Sequence, residues 1–213
     1  ETAFEHLNTD KEILDFFNEQ FPDAVPLMPT LIEDFKNNPT PPLVTIRCNP
    51  WAWADKVLLI GDASHAIVPF YGQGMNSGFE DCTILDEMAD ELKEDWVSII
   101  REFNTTRIED ANAIADLALR NFIEMRDKVG DPKFLLRKKI AAWLHEKYPE
   151  DFLPLYSMVT FSHIPYSEAL KEGKRQDELF EKILSVPGIE KNWQGEEVIR
   201  IFESWSEKKE TVS

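Results

Sequence analysis

Cysteine, positive charge and long apolar runs are all scarce in this chain, and each shortage removes a class of protein. Only Cys48 and Cys82 carry thiols among 213 residues. They stand in unrelated contexts, too few for a disulfide framework or a four-ligand zinc site, and a reducing compartment fits best. Lys and Arg number 23 against 40 Asp and Glu, a formal net charge of -17. Phosphate binding draws on a surplus of Lys and Arg, so this balance argues against a nucleic-acid partner and reads as an acidic, solvated surface. No stretch approaches the roughly 18 uninterrupted apolar residues of a spanning helix. The start lacks a signal-peptide pattern, and the chain is expected to be soluble.

What is present is enough to fold. With 43% hydrophobic and 11% aromatic residues the chain can bury a core, in one domain or two small ones. Its opening, ETAFEHLNTD, has no initiator Met, so the expectation is a piece of a longer protein. Thr9 with Glu12 has the form of a capping box, and Ile13, Leu14, Phe16, Phe17 and Phe21 recur at helical spacing until Pro22, which predicts a helix over 10–21. A proline-dense stretch (Pro22, Pro26, Pro29, Pro39, Pro41, Pro42) predicts irregular chain, then a β-branched strand from Leu43 to Cys48. Val57 to Ile60 reads as a short buried strand that ends at Gly61 and Asp62. Helical patterns follow over 76–92, 95–128, 132–147, 166–184 and 195–208, and the final SEKKETVS is polar enough to fray. The organisation is strand-bearing first and α-helical afterward.

Chemistry is expected where the second strand ends. A strand closing on Gly-Asp, a loop with Pro69, Gly72, Gln73 and Gly74, and a helix opening near Met75 and Asn76 would present backbone amides and a partial positive charge to a ligand. Such a terminus suits a ring that gains negative charge on reduction, as a flavin does. Asp62 has acceptor oxygens suited to the hydroxyls of a ribityl chain.

The block GDASHAIVPFYGQGMNSGFEDC resembles the second FAD fingerprint of the class A flavoprotein monooxygenases, the FAD-dependent aromatic hydroxylases. The likeness continues through FNTTRIEDANAIADLALRNFIEMRD, LPLYSMVTFSHIPY and FPDAVPL, so that it covers most of residues 10–170, and is closest to the branch of the family that hydroxylates L-kynurenine. The resemblance implies an α/β fold, the C-terminal part of a Rossmann-like two-domain enzyme ending in a helical region. Residues 1–50 would close a substrate-binding sheet domain, 51–92 would return to the FAD-binding domain, and 93–213 would form a helical C-terminal domain. It further implies FAD as cofactor and NADPH as reductant. Asp62 falls on the ribityl-contacting aspartate, Met75 and Asn76 on the backbone that cups the isoalloxazine ring, and Gly61, Pro69, Gly72, Gln73 and Gly74 on the same loop. Pro69, Phe70 and Gln73 are implied to face the substrate ring, Asn121 and Tyr156 its amino-acid end. The family's phosphate loop, ribose-binding acid, NADPH surface and carboxylate-gripping arginine have no counterpart in these residues. The expected partner is therefore an N-terminal half that carries them, without which the chain should neither bind FAD tightly nor turn over. Relatives of the family also imply a mitochondrial outer-membrane location on the cytosolic face, through a C-terminal anchor absent from this chain.

Plainer readings compete at each position. Asp62, Ser64 and His65 do not form a hydrolase triad, because neighbours on one turn rarely converge and no G-x-S-x-G elbow surrounds Ser64. His65 has no His, Cys or Asp at metal spacing and is expected to be a packed or hydrogen-bonded residue; no metal and no general base are predicted. Phe70 and Tyr71 suit core and pocket equally, and Trp51 and Trp53 are taken as structural. Phe134, Leu135, Trp143 and Leu144 are expected to pack against an absent domain. A sister hydroxylase for another aromatic acid, or a non-catalytic helical interaction module, are the alternatives in function.

Overall fold

The computed structural model describes residues 4–210, with side chains through 207. Two compact units divide the chain, one ending at Leu43 and one beginning at Val44. In the first, helix α1 (Asp10–Gln20) opens on the expected capping box: the Thr9 hydroxyl accepts from the Glu12 amide while the Glu12 carboxylate accepts from the Thr9 amide. Helix α2 (Leu31–Asn37) stands where irregular chain was expected. Pro29 and Pro39 bracket it without entering it, and Phe35 completes an aromatic cluster with Phe4 and Phe17 at ring separations of 5.7 and 6.1 Å.

The strand expected over 43–48 does not form. This stretch has no regular secondary structure, with Ile46 and Cys48 donating to the carbonyls of Ala66 and Ser64 at 2.7 and 3.1 Å. Those two bonds link it to a turn rather than to another strand, so no ladder arises. Among the described residues the only sheet is an antiparallel hairpin of β1 (Ala52–Trp53) and β2 (Val57–Leu58), with Ala52 opposite Leu58 and Trp53 opposite Val57. The second strand is thus shorter than expected and not buried: Val57 and Ile60 are exposed because a hairpin with one neighbour has no second sheet face to cover them. Trp51 is structural, its indole N–H donating to the Cys48 carbonyl at 2.9 Å, whereas Trp53 offers only its backbone and is 71% exposed.

Helices make up the rest. They are α3 (Asp62–His65), α4 (Gly74–Glu91), α5 (Trp96–Asp127), α6 (Pro132–Lys147), α7 (Leu155–Phe161), α8 (Tyr166–Leu184) and α9 (Glu196–Glu210). The last three residues of the fraying tail lie outside the described residues. Asp95 and Asp131 cap α5 and α6 by accepting from backbone amides, and Pro132 occupies the first turn of α6. The 32-residue α5 is the axis of this unit, packing against α4, α8 and the hairpin. One apolar core joins α6, α8 and α9 through Leu144, Phe152, Phe180 and Phe202. Leu144 and Trp143 pack within this bundle rather than awaiting an absent domain, although Leu135 is exposed. A second core ties Ile114 and Leu117 of α5 to Met158 of α7 and Tyr166 of α8.

Candidate functional site

The turn after β2 depends on Gly61, whose φ of +57° and ψ of −143° suit glycine and strain other residues. A Cβ built on Gly78 would lie 3.6 Å from the Gly61 Cα, so the turn rests on the second turn of α4. From that turn α3 sends its residues two ways. Asp62 is exposed and free of hydrogen bonds and ion pairs among the described residues, while Ser64 and His65 are buried.

Beneath lies a polar network that sequence reasoning did not find. Asp81, fully buried on α4, accepts from the Gly61 amide (2.9 Å) and from His65 Nε2 (2.6 Å) through Oδ2. Its Oδ1 accepts from Arg107 Nε and Nη2 at 3.1 and 2.8 Å. Arg107, on α5, also reaches Glu80 at 3.0 Å and Asp110 at 3.6 Å. Burial alone would raise the Asp81 pKa, but the hydrogen bonds from His65, Gly61 and Arg107 outweigh it and hold the carboxyl below its ordinary value. Asp81 is therefore the acceptor and His65 Nε2 the donor, which leaves the buried Nδ1 without a partner among the described residues. Trp51 lies over the imidazole at a ring separation of 5.1 Å. His65 is the packed, hydrogen-bonded residue expected. One signal for the network was legible: Asp81 and Arg107 fall on the helical stripes Ser77–Asp81–Leu85 and Ile100–Phe103–Arg107–Ala111, where core residues belong.

The loop between α3 and α4 is a tight turn in which the Gly72 amide donates to the Pro69 carbonyl at 3.0 Å, with Gly72 at φ +70°. Asn121 Nδ2 donates to the Phe70 carbonyl at 2.7 Å, and the Phe70 ring lies against Phe122 at 4.5 Å. Tyr71 stacks on Tyr156 at 5.6 Å. The structure thus brings Asn121 and Tyr156, distant in sequence, to the same turn as Pro69 and Phe70. Burial, then the nearby Glu124 carboxylate, pushes the Tyr71 pKa up to about 12, so its hydroxyl stays protonated at neutral pH. Gln73 is buried and its Oε1 accepts from Asn76 Nδ2 (2.9 Å) and the Tyr166 hydroxyl (3.3 Å), which occupies the acceptor end of its side chain inside the protein.

The first intrahelical bond of α4 is from the Ser77 amide to the Gln73 carbonyl, so the amides of Gly74, Met75 and Asn76 have no acceptor among the described residues. Met75 is 71% exposed. A cleft of about 600 Å³ adjoins this terminus, with Gln73, Asn76 and Phe79 on one wall and Phe161, Ile164 and Tyr166 on the other. Free amides at a helix N-terminus, an unpartnered Asp62 carboxylate and a glycine turn with open space beside Gly72 fit a flavin: donors for the ring edge, an acceptor for ribityl hydroxyls and room for close approach. Among the described residues no cluster of His, Cys, Asp and Glu is arranged to hold a metal ion.

Comparison with known proteins points to the same cofactor. Residues 45–117, which hold the turn, α4 and Arg107, match the family described as FAD binding domain. A kynurenine 3-monooxygenase of Flavobacterium psychrophilum is 52% identical over 93% of this chain and 44% of its own length. One from Legionella pneumophila is 42% identical over 94% of the chain and 45% of its own length, and one from Caenorhabditis elegans 42% over 84% and 40%. Through residues 45–117 the chain is similar to proteins that carry this FAD binding domain. Over most of its length the chain is similar to kynurenine 3-monooxygenases, and it spans about half the length of the curated relatives it matches.

Proposed function

We propose that this chain supplies the flavin- and substrate-facing part of a monooxygenase that uses FAD and NADPH to hydroxylate L-kynurenine at the ring carbon beside its amino group. The observation that carries the proposal is the free helix terminus at Gly74–Asn76 on the helix whose Gly78 packs against the Gly61 turn that exposes Asp62, in a chain 42–52% identical to kynurenine 3-monooxygenases. FAD reduced by NADPH supplies the oxygenating chemistry when bound. Asp62 would accept from the ribityl hydroxyls, and the amides of Gly74, Met75 and Asn76 would face the ring edge that becomes anionic on reduction. Pro69, Phe70 and Tyr71 would keep water from the reacting ring carbon. Because Asn121 Nδ2 is committed to the Phe70 carbonyl, its Oδ1 is the atom left to accept from a substrate ammonium. Tyr156, half-exposed and stacked on Tyr71, would close that end. None of these roles requires a side chain to move a proton.

The missing partner in this proposal is the part of the relatives that the chain does not match, which would bring the phosphate loop, NADPH surface and carboxylate-binding arginine. No cellular compartment follows, since the relatives include bacteria and a nematode; among the described residues no helix is long and apolar enough to cross a membrane.

The test is co-expression of the chain with that complementary part, followed by a visible absorption spectrum and NADPH oxidation with and without L-kynurenine. A flavin spectrum with kynurenine-stimulated turnover is expected. A complex that stays colourless when FAD is added overturns the flavin assignment, and stimulation by a different aromatic acid alone overturns the substrate. Asp62→Ala should weaken FAD retention at least tenfold, and unchanged FAD content removes Asp62 from the site.

A further inference from the structure

We propose that Arg107 and His65 are positioning residues that act through the Asp81 carboxylate to clamp the flavin-facing turn at Gly61 and Asp62. The inference rests on the flavin assignment above and concerns residues that touch neither flavin nor substrate in it. A single oxygen, Asp81 Oδ2, accepts from both ends of the turn: the Gly61 amide at 2.9 Å and His65 Nε2 at 2.6 Å. Asp62 lies between these two anchors and points to solvent on the same one-turn helix that sends His65 inward. Its direction is therefore fixed by where Oδ2 sits.

What fixes Oδ2 is Arg107. A carboxylate held at one oxygen can still turn about its Cβ–Cγ bond, which would carry Oδ2 away from both anchors. The Arg107 fork grips Oδ1 with Nε and Nη2 at 3.1 and 2.8 Å, a two-point grip that a single ammonium cannot reproduce. Glu80 and Asp110 lie against the same guanidinium, at 3.0 Å from Nη2 and 3.6 Å from Nη1. Buried ion pairs are seldom better for stability than apolar residues of the same volume. Their value here is orientation, in a turn where a shift of an ångström would take Asp62 out of reach of a ribityl hydroxyl.

The experiment uses the FAD-binding complex of the chain with its complementary part and measures three quantities in wild type, Arg107→Lys, His65→Gln and Glu80→Gln. They are the FAD dissociation constant from flavin fluorescence, the melting temperature without FAD, and hydrogen exchange over residues 61–65. Arg107→Lys keeps the charge and loses the fork; it should weaken FAD binding at least tenfold and speed exchange in 61–65, with a melting temperature within a few degrees of wild type. His65→Gln should do the same to a smaller degree and carries the test if Arg107→Lys is not folded at the assay temperature. Glu80→Gln, which touches Arg107 but not Asp81, should stay within twofold of wild type. FAD binding within twofold in both Arg107→Lys and His65→Gln overturns the clamp while leaving the flavin assignment intact. So does weakening that merely follows a fall in melting temperature. A wild-type complex that binds no FAD overturns the flavin assignment instead, and the exchange measurement alone then decides whether the turn is clamped: unchanged exchange overturns it.

Discussion

The buried interior around the Gly61 turn and the interior of the α6–α8–α9 bundle are built from opposite materials. Of the seven buried polar or charged residues among those described, six (Ser64, His65, Gln73, Ser77, Asp81 and Arg107) lie between positions 64 and 107, and the seventh, Gln176, lies in the bundle. The bundle is closed by Ile140, Leu144, Phe152, Phe180, Phe202 and Trp205, with aromatic rings meeting edge-on. Apolar packing is non-directional and forgiving of small shifts, which suits a scaffold. Hydrogen-bonded charge is directional and intolerant of an unpaired member, which suits a surface that must hold donors and acceptors in fixed places. The two regions divide stability and geometry between them.

The contrast can be broken from the bundle side first. Phe202→Ala removes a ring packed on Phe152, Tyr148 and Trp205 and should cost about 3–5 kcal/mol, read from urea or thermal unfolding. FAD affinity of the protein that remains folded should be unchanged; a loss there would mean that the bundle also shapes the site. Next, Arg107→Met strands the buried Asp81 carboxylate and should cost about 3 kcal/mol, at the low end for a broken buried pair because Gly61 and His65 still donate to it. The added change Asp81→Leu should recover most of that stability and none of the FAD binding.

Acid sharpens the same contrast more gently. The Asp81 carboxyl lies below its ordinary value of 3.8 in the folded chain, so its contribution is fully present above pH 3.8 and is lost as pH falls through the lower folded value. Wild type should therefore lose stability more steeply below pH 3.8 than Asp81→Asn does; equal slopes would show that the network is not ionic. The smallest effect belongs to the first unit, where Thr9→Ala removes the capping box of α1 and should cost about 1 kcal/mol of local helix stability, visible by circular dichroism of that unit.

Much of the helical architecture was legible because its punctuation is local. Thr9 with Glu12, Asp131 before Pro132, and Pro165 before Tyr166 place helix starts at the residues where α1, α6 and α8 begin. The helix expected over 95–128 spans Trp96–Asp127. Where an element depends on distant partners the reading failed: Leu43 to Cys48 has strand composition but no strand to pair with, and α2 hid among prolines that flank it. The fingerprint loop was legible as a block, and Asn121 and Tyr156 were singled out only through resemblance, as contacts for the amino-acid end of the substrate; the structure joins them to the loop by a 2.7 Å hydrogen bond and a ring stack. Asp81 and Arg107 were passed over because charged residues on an apolar stripe look like noise until both are seen to meet.

Helix α5 sets the scale of this arrangement. Arg107 and Asn121 lie fourteen residues apart on it, close to four whole turns, so both face nearly the same way at an axial separation of about 21 Å. One steadies the turn that carries Asp62 and the other the turn that carries Phe70. The spacing between the two is thus gauged by helical pitch, like teeth cut on one shaft. An inserted or deleted residue anywhere between 108 and 120 would put the two turns out of phase by about 100°, and compensation would have to come from a bulge in the helix itself.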